Sequence, residues 1–98
     1  MITEKNIRKM LGNFIDVKNM VSPRGTIVPN QFSITFKNGV VYQSYSTIIA
    51  ADIKGKLYLS SAHDYSRTTN KYAKMFTNMN AKERRAVIAN HTAIMFNN

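Results

Sequence analysis

The stretch QFSITFKNG, Gln31–Gly39, decides whether this chain is built on helices alone or on a sheet. Phe32, Ile34 and Phe36 alternate with Gln31, Ser33 and Thr35, the period of two expected of a strand with one buried face. The run ends in Asn38-Gly39, a pair that tolerates the positive φ a tight hairpin requires. A reversal is expected there, with a second strand through VVYQSYSTII, residues 40–49. Its register stays open, because a two-residue turn and a three-residue turn with a bulge differ in whether Val40 or Val41 shares the face of Phe36. A second reversal at Lys54-Gly55 leads into a short strand, Lys56–Leu59, and completes a three-stranded antiparallel meander.

On the N-terminal side, Thr3 is placed to cap a helix whose Ile7, Met10, Leu11 and Phe14 fall at helical spacing, with Gly12 a weak point inside it. NMVSPRGTIVPN, carrying Pro23, Gly25 and Pro29, reads as a loop leading into extended chain. Beyond Ser61 the period lengthens to about 3.6: Tyr65, Thr69, Tyr72 and Phe76 line the packing side of a helix, and Ser61 with Asp64 three residues on fits its start. After a break at TNMN, Asn80 and Glu83 form a capping-box pair for a last helix with Val87, Ile88, His91, Ile94 and Met95 as its inner stripe. The expected fold is a single α+β domain over residues 1–98, ordered α-β-β-β-α-α, with an N-terminal helix and two C-terminal helices on one face of the meander.

Composition supports a folded domain. Ile, Val, Phe and Leu supply 24 of the 98 residues, above the roughly 20% below which charged chains stay disordered. The absence of cysteine excludes disulfide frameworks, thiolate metal clusters and cysteine nucleophiles. No apolar run exceeds the four residues of Ile48–Ala51, far short of a membrane span, and the opening MITEKNIRKM does not resemble a signal peptide. A soluble cytoplasmic protein without membrane partners is expected.

Few residues offer catalysis. His63-Asp64 has the look of a metal-binding doublet, but only His91 remains as a further imidazole, and no carboxylate cluster completes a ligand set. Ser66, His63 and Asp64 lie too close in sequence for triad geometry. Phosphate-binding glycine loops are absent. The residues therefore predict no enzyme, no metal and no cofactor, with His91 a core-edge histidine bonded to backbone.

Charge points to binding. Fourteen Lys and Arg against five Asp and Glu give a net charge of +9 and a pI near 10.1, which favours polyanions. On a helical wheel Arg67, Lys71 and Lys74 fall within about 60° of one another, opposite the aromatic side. Lys82, Arg84 and Arg85 crowd the first turn of the last helix, where cations oppose the dipole and invite an anionic partner. Ser66 and Thr68, flanking Arg67, supply hydroxyls for a phosphate. Tyr42, Tyr45 and Tyr58 on the strands can stack bases if helices leave that face open.

Three segments, VYQSYSTIIA, GKLYL and DYSRTTNKYAKMF, resemble a family of small tailed-bacteriophage proteins of unknown function. The resemblance spans Pro29 to Phe76 and rests on Gln43, Ser44, Tyr45, Ile49, Gly55, Tyr58, Leu59, Tyr72, Phe76 and above all the run Tyr65-Ser66-Arg67-Thr68-Thr69. An aromatic often stands in that family where this chain has His63, which argues against chemistry at His63. The resemblance implies a phage accessory protein, active in host takeover or anti-defence in the host cytoplasm, and no particular activity. Together with the charge, the leading expectation is a non-enzymatic protein that binds DNA or RNA, or a host or defence nucleoprotein complex, through Arg67, Lys71, Lys74, Lys82, Arg84 and Arg85. An inhibitor of a host or defence protein, of the anti-CRISPR type, and a minor virion component are the alternatives. Homodimer formation is left open.

Overall fold

A computed structural model describes residues 1–98. Thr3 caps α1 (Glu4–Leu11) as expected, with Asn6 as its capping-box partner, but the helix stops three residues short of Phe14. Gly12 is the stop: its φ of 75° leaves the helical region, and the chain turns into a strand. That strand, β1 (Phe14–Val21), pairs antiparallel with β2 (Ile27–Phe36) across the turn that holds Pro23 and Gly25. The segment expected to be the end of a helix and a loop is thus an extra hairpin.

The Asn38-Gly39 reversal is present, and its register is resolved. Phe36 pairs with Gly39 and Ile34 with Val41, so Lys37 and Asn38 alone form the turn, and Val41 shares the face of Ile34. Neither Asn38 nor Gly39 takes a positive φ. Glycine is required at 39 for closeness: a Cβ there would lie 2.3 Å from the backbone oxygen of Asp52 on the adjacent strand.

VVYQSYSTII is not one strand. It divides into β3 (Gly39–Ser44) and β4 (Thr47–Ile53) at Tyr45-Ser46. Tyr45 sits at φ 55°, with its N–H donating to the Asn30 carbonyl at 2.7 Å. The Lys54-Gly55 reversal follows, both residues at positive φ, and β5 (Lys56–Ser60) completes it.

The last two helices are shorter than their periodicities suggest. Helix α2 (Arg67–Thr77) starts at Ser66, not at Ser61; α3 (Ala81–Ala89) has the expected Asn80–Glu83 box but ends before His91. His91, at φ 64°, is an exposed turn residue and not a core-edge histidine. Ile94–Phe96 then forms β6, parallel to β5, where an extension of the helix was expected. An isolated bridge from Asn97 to Thr3 joins the two ends of the chain; the Glu4 N–H donates to the Asn97 carbonyl at 2.8 Å.

The result is a six-stranded mixed sheet in the order β1-β2-β3-β4-β5-β6, with three helices, in place of a three-stranded meander. Nor do the helices share one face. Ile7 and Leu11 of α1 pack on Ile34, Val41, Ile48, Ala51, Ile53, Tyr58 and Phe96. Tyr72 and Ala73 of α2, with Ala93 and the partly buried Val87 and Ile88, cover Tyr42, Ile49, Ala50 and Leu59 on the other side. Both faces of β4 are therefore buried, which explains the unbroken Ile48-Ile49-Ala50-Ala51 run, and a register shift opposite Tyr42/Gln43 lets Ile49 and Ala50 serve the same side. Burying a side chain such as Leu11 contributes about 1.5–3 kcal/mol. No helix is long and apolar enough to cross a membrane.

Candidate nucleic-acid interface

The N-terminus of α2 is set by Ser66. Its Oγ accepts from the Thr69 N–H at 3.1 Å and donates to Thr69 Oγ1 at 2.9 Å, so this hydroxyl is committed to the cap. From that start, Thr69, Tyr72 and Ala73 face the sheet, and Arg67, Lys71 and Lys74 face solvent as expected. No carboxylate lies within salt-bridge distance of these three cations, and Lys71 Nζ sits 5.5 Å from the centre of the Tyr72 ring. Like charges at this spacing cost a few tenths of a kcal/mol on an isolated helix. Lys82 on α3 is exposed and likewise unpaired. Arg85 is exposed but donates to Asp64 at 2.9 Å, so Asp64 serves an ion pair between the loop and α3 instead of the start of α2.

Arg84 does not belong to this surface. It is 0% exposed, and its Nε donates to His63 Nδ1 at 2.9 Å, its Nη1 to the Met79 carbonyl at 2.7 Å, and its Nη2 to Asn70 Oδ1 and the His63 carbonyl. The guanidinium thus ties α3 to α2 and to the loop before it, using only uncharged acceptors. A buried charge is tolerable only when its donors are met, and four of the five N–H groups are. Burial pulls the Arg84 pKa below its usual value. Burial also lowers the pKa of His63, itself 4% exposed, with the Arg84 and Arg85 charges acting the same way and Asp64 opposing them. His63 accepts at Nδ1 and so holds its proton on Nε2. The spacing that identifies Arg84 as interior is in the sequence: Arg84 stands three and four residues before Val87 and Ile88 on one helix face.

A cleft of about 740 Å³ opens where the start of α2 meets the β3–β4 turn. Gln31, Ser44, Thr47 and Thr69 supply polar groups to its lining, which includes no charged residue. Beneath it, the buried Tyr42 hydroxyl donates to Gln31 Oε1 at 2.5 Å, and Gln31 Nε2 donates to Ser44 Oγ at 3.1 Å. Burial pushes the Tyr42 pKa up to about 12, so it remains a proton donor. Two rings border the cleft: Tyr45, 66% exposed, and Tyr65, 85% exposed. Tyr65 was expected to pack, but it precedes the helix and faces solvent. Of the strand tyrosines expected to stack bases, Tyr42 and Tyr58 are buried under helices and only Tyr45 is free. Thr68 is exposed at the cleft wall, beside Arg67 in sequence.

With two basic helices on one face of a six-stranded mixed sheet and a neutral tyrosine-edged cleft at the start of α2, the molecule is a β-rich α+β protein with a polar cleft and exposed cations. It belongs to DUF8033, a family of unknown function, whose model matches residues 15–91. The match runs from β1 to just beyond α3 and takes in both basic helices and the cleft. No curated protein and no solved structure matches the chain.

Proposed function

We propose that this protein binds single-stranded nucleic acid, with phosphates met by Arg67, Lys71, Lys74, Lys82 and Arg85 and an unstacked base received at the cleft between Tyr45 and Tyr65. One observation carries the reading: four exposed cations on α2 and α3 have no carboxylate partner, and the chain has a net charge of +9. The exposed tyrosines favour single strands, because every base offers a π-face to an aromatic ring while paired bases are stacked already. Thr68, and the rim of Ser66, lie where the backbone would pass from the cations to the cleft. The resemblance to small tailed-phage proteins supports an accessory role in host takeover or anti-defence, in the host cytoplasm, without catalysis.

Binding of a labelled single strand should weaken with salt. For about five neutralised phosphates the slope of log K against log salt is expected near −3 to −4, and Lys71→Glu with Lys74→Glu should weaken binding at least tenfold and flatten the slope. A protein that shifts no labelled strand at low salt, yet is captured from nuclease-treated lysate by an acidic protein, would replace this reading with that of a protein-directed inhibitor.

A further inference from the structure

The sheet has one long open edge. Strand β1 lies at the end of the order, and seven of its eight residues are exposed, including Phe14, Ile15, Val17 and Val21. Ile27, at the start of β2, adds to the same corner. Ile15 is 62% exposed. An edge of this kind offers a row of unpaired N–H and C=O groups beside apolar side chains, a template for another strand. Register shifts fall at Ile15 and Met20, so the regular segment available for pairing is Asp16–Asn19.

The charges on that segment select the occupant. Asp16 and Lys18 are both exposed and neither has an ion-pair partner within the chain. Their pairing with Thr35 and Ser33 puts them on one face of the sheet, while Val17, opposite Ile34, lies on the other. If β1 meets a second β1 antiparallel with Val17 opposite Val17, Asp16 of each copy stands across from Lys18 of the other, twice over. Isologous two-fold contacts require such self-complementarity. A shift of one residue would set Val17 across from Lys18 and lose both pairs.

We infer that β1 is a homodimer edge: two copies join their sheets through antiparallel β1 strands centred on Val17, with reciprocal Asp16–Lys18 pairs. This surface is separate from the proposed nucleic-acid interface, so neither depends on the other. Sedimentation of the full chain over a concentration series, at physiological salt where the Debye length is about 8 Å, should show a monomer–dimer equilibrium. Asp16→Lys alone and Lys18→Asp alone should each weaken dimerisation about tenfold, since both reciprocal pairs become repulsive. Mixing the two variants should restore a dimer, because every Lys then meets an Asp on the other chain. Both side chains are exposed and unpaired, so circular dichroism of each variant, and its melting at concentrations where the parent is monomeric, should match the parent. A parent chain that stays monomeric throughout, or a dimer that neither reversal weakens, overturns the inference.

Discussion

Arg84 Nε donates to His63 Nδ1 at 2.9 Å, and both side chains are buried. A cation is therefore held by an imidazole that must stay neutral to accept the bond. Protonating His63 at Nδ1 would replace an acceptor by an N–H facing another N–H, with two positive charges side by side.

Stability should consequently fall on mild acidification. Burial lowers the folded-state pKa of His63 below the 6.5 of the unfolded chain, so between those two values the unfolded chain binds more protons. The contribution is fully present above about pH 6.5 and is lost as pH falls toward the folded-state value, at up to about 1.4 kcal/mol per pH unit. Urea unfolding from pH 7.5 downward, stopped at the carboxylate range, measures it. His63→Asn, whose Oδ1 can accept in place of Nδ1, should flatten the profile.

Removing the other partner should cost more. Arg84→Ala leaves the Met79 carbonyl, Asn70 Oδ1 and His63 Nδ1 without their donor and opens a cavity between α2 and α3. A loss of about 3 kcal/mol is expected in denaturant unfolding. Arg85→Ala, which removes an exposed pair with Asp64, should change stability by less than about 1 kcal/mol.

Glycine substitutions should separate two roles. Gly39→Ala drives a Cβ against the Asp52 backbone oxygen and forces β3 from β4, at about 1–3 kcal/mol or more. Gly55→Ala meets nothing within 4 Å and should cost about 1–2 kcal/mol, through its φ of 80° alone. Thermal melts of both variants test the ordering.

Tyr45 should trade stability against binding. A tyrosine at φ 55° is strained, and Tyr45→Gly relieves that strain while adding chain entropy to the unfolded state. The melting temperature should hold or rise, with single-strand affinity falling several-fold as a stacking ring is lost. Tyr45→Asn, another residue at ease in this region, should behave similarly.

The sequence was legible where a pattern could be satisfied by neighbours. Alternation through Phe32, Ile34 and Phe36, the Lys54-Gly55 reversal and the Asn80–Glu83 box all rest on contacts a few residues apart, and all are present. What was hidden depends on distant partners. Tyr45 turns the chain without glycine or proline because Asn30 holds its N–H. Ile94–Phe96 has a helix-compatible spacing, yet β5 offers it an open edge, and pairing wins over propensity. At β1, edge position leaves apolar residues exposed, so no alternation of burial marks the strand. Of the site, the outer stripe of α2 was readable from helical spacing. Arg84 was misplaced on the surface because its charge outweighed its position before Val87 and Ile88, and the cleft drew on residues from four separate segments.

The bridge between Thr3 and Asn97 bears on how the molecule assembles. From β1 to β5 every strand pairs with its immediate predecessor, so each step closes only a short loop and the sheet can zip along the chain. β6 also lies beside its predecessor β5, but only after α2 and α3 intervene, and Asn97 then bridges to Thr3, closing a loop that spans nearly the whole chain. That contact should form last and part first. Weakening it, for instance by Phe96→Ala, should speed unfolding far more than it slows folding, making the seam where the two ends meet the latch that sets the lifetime of the folded state.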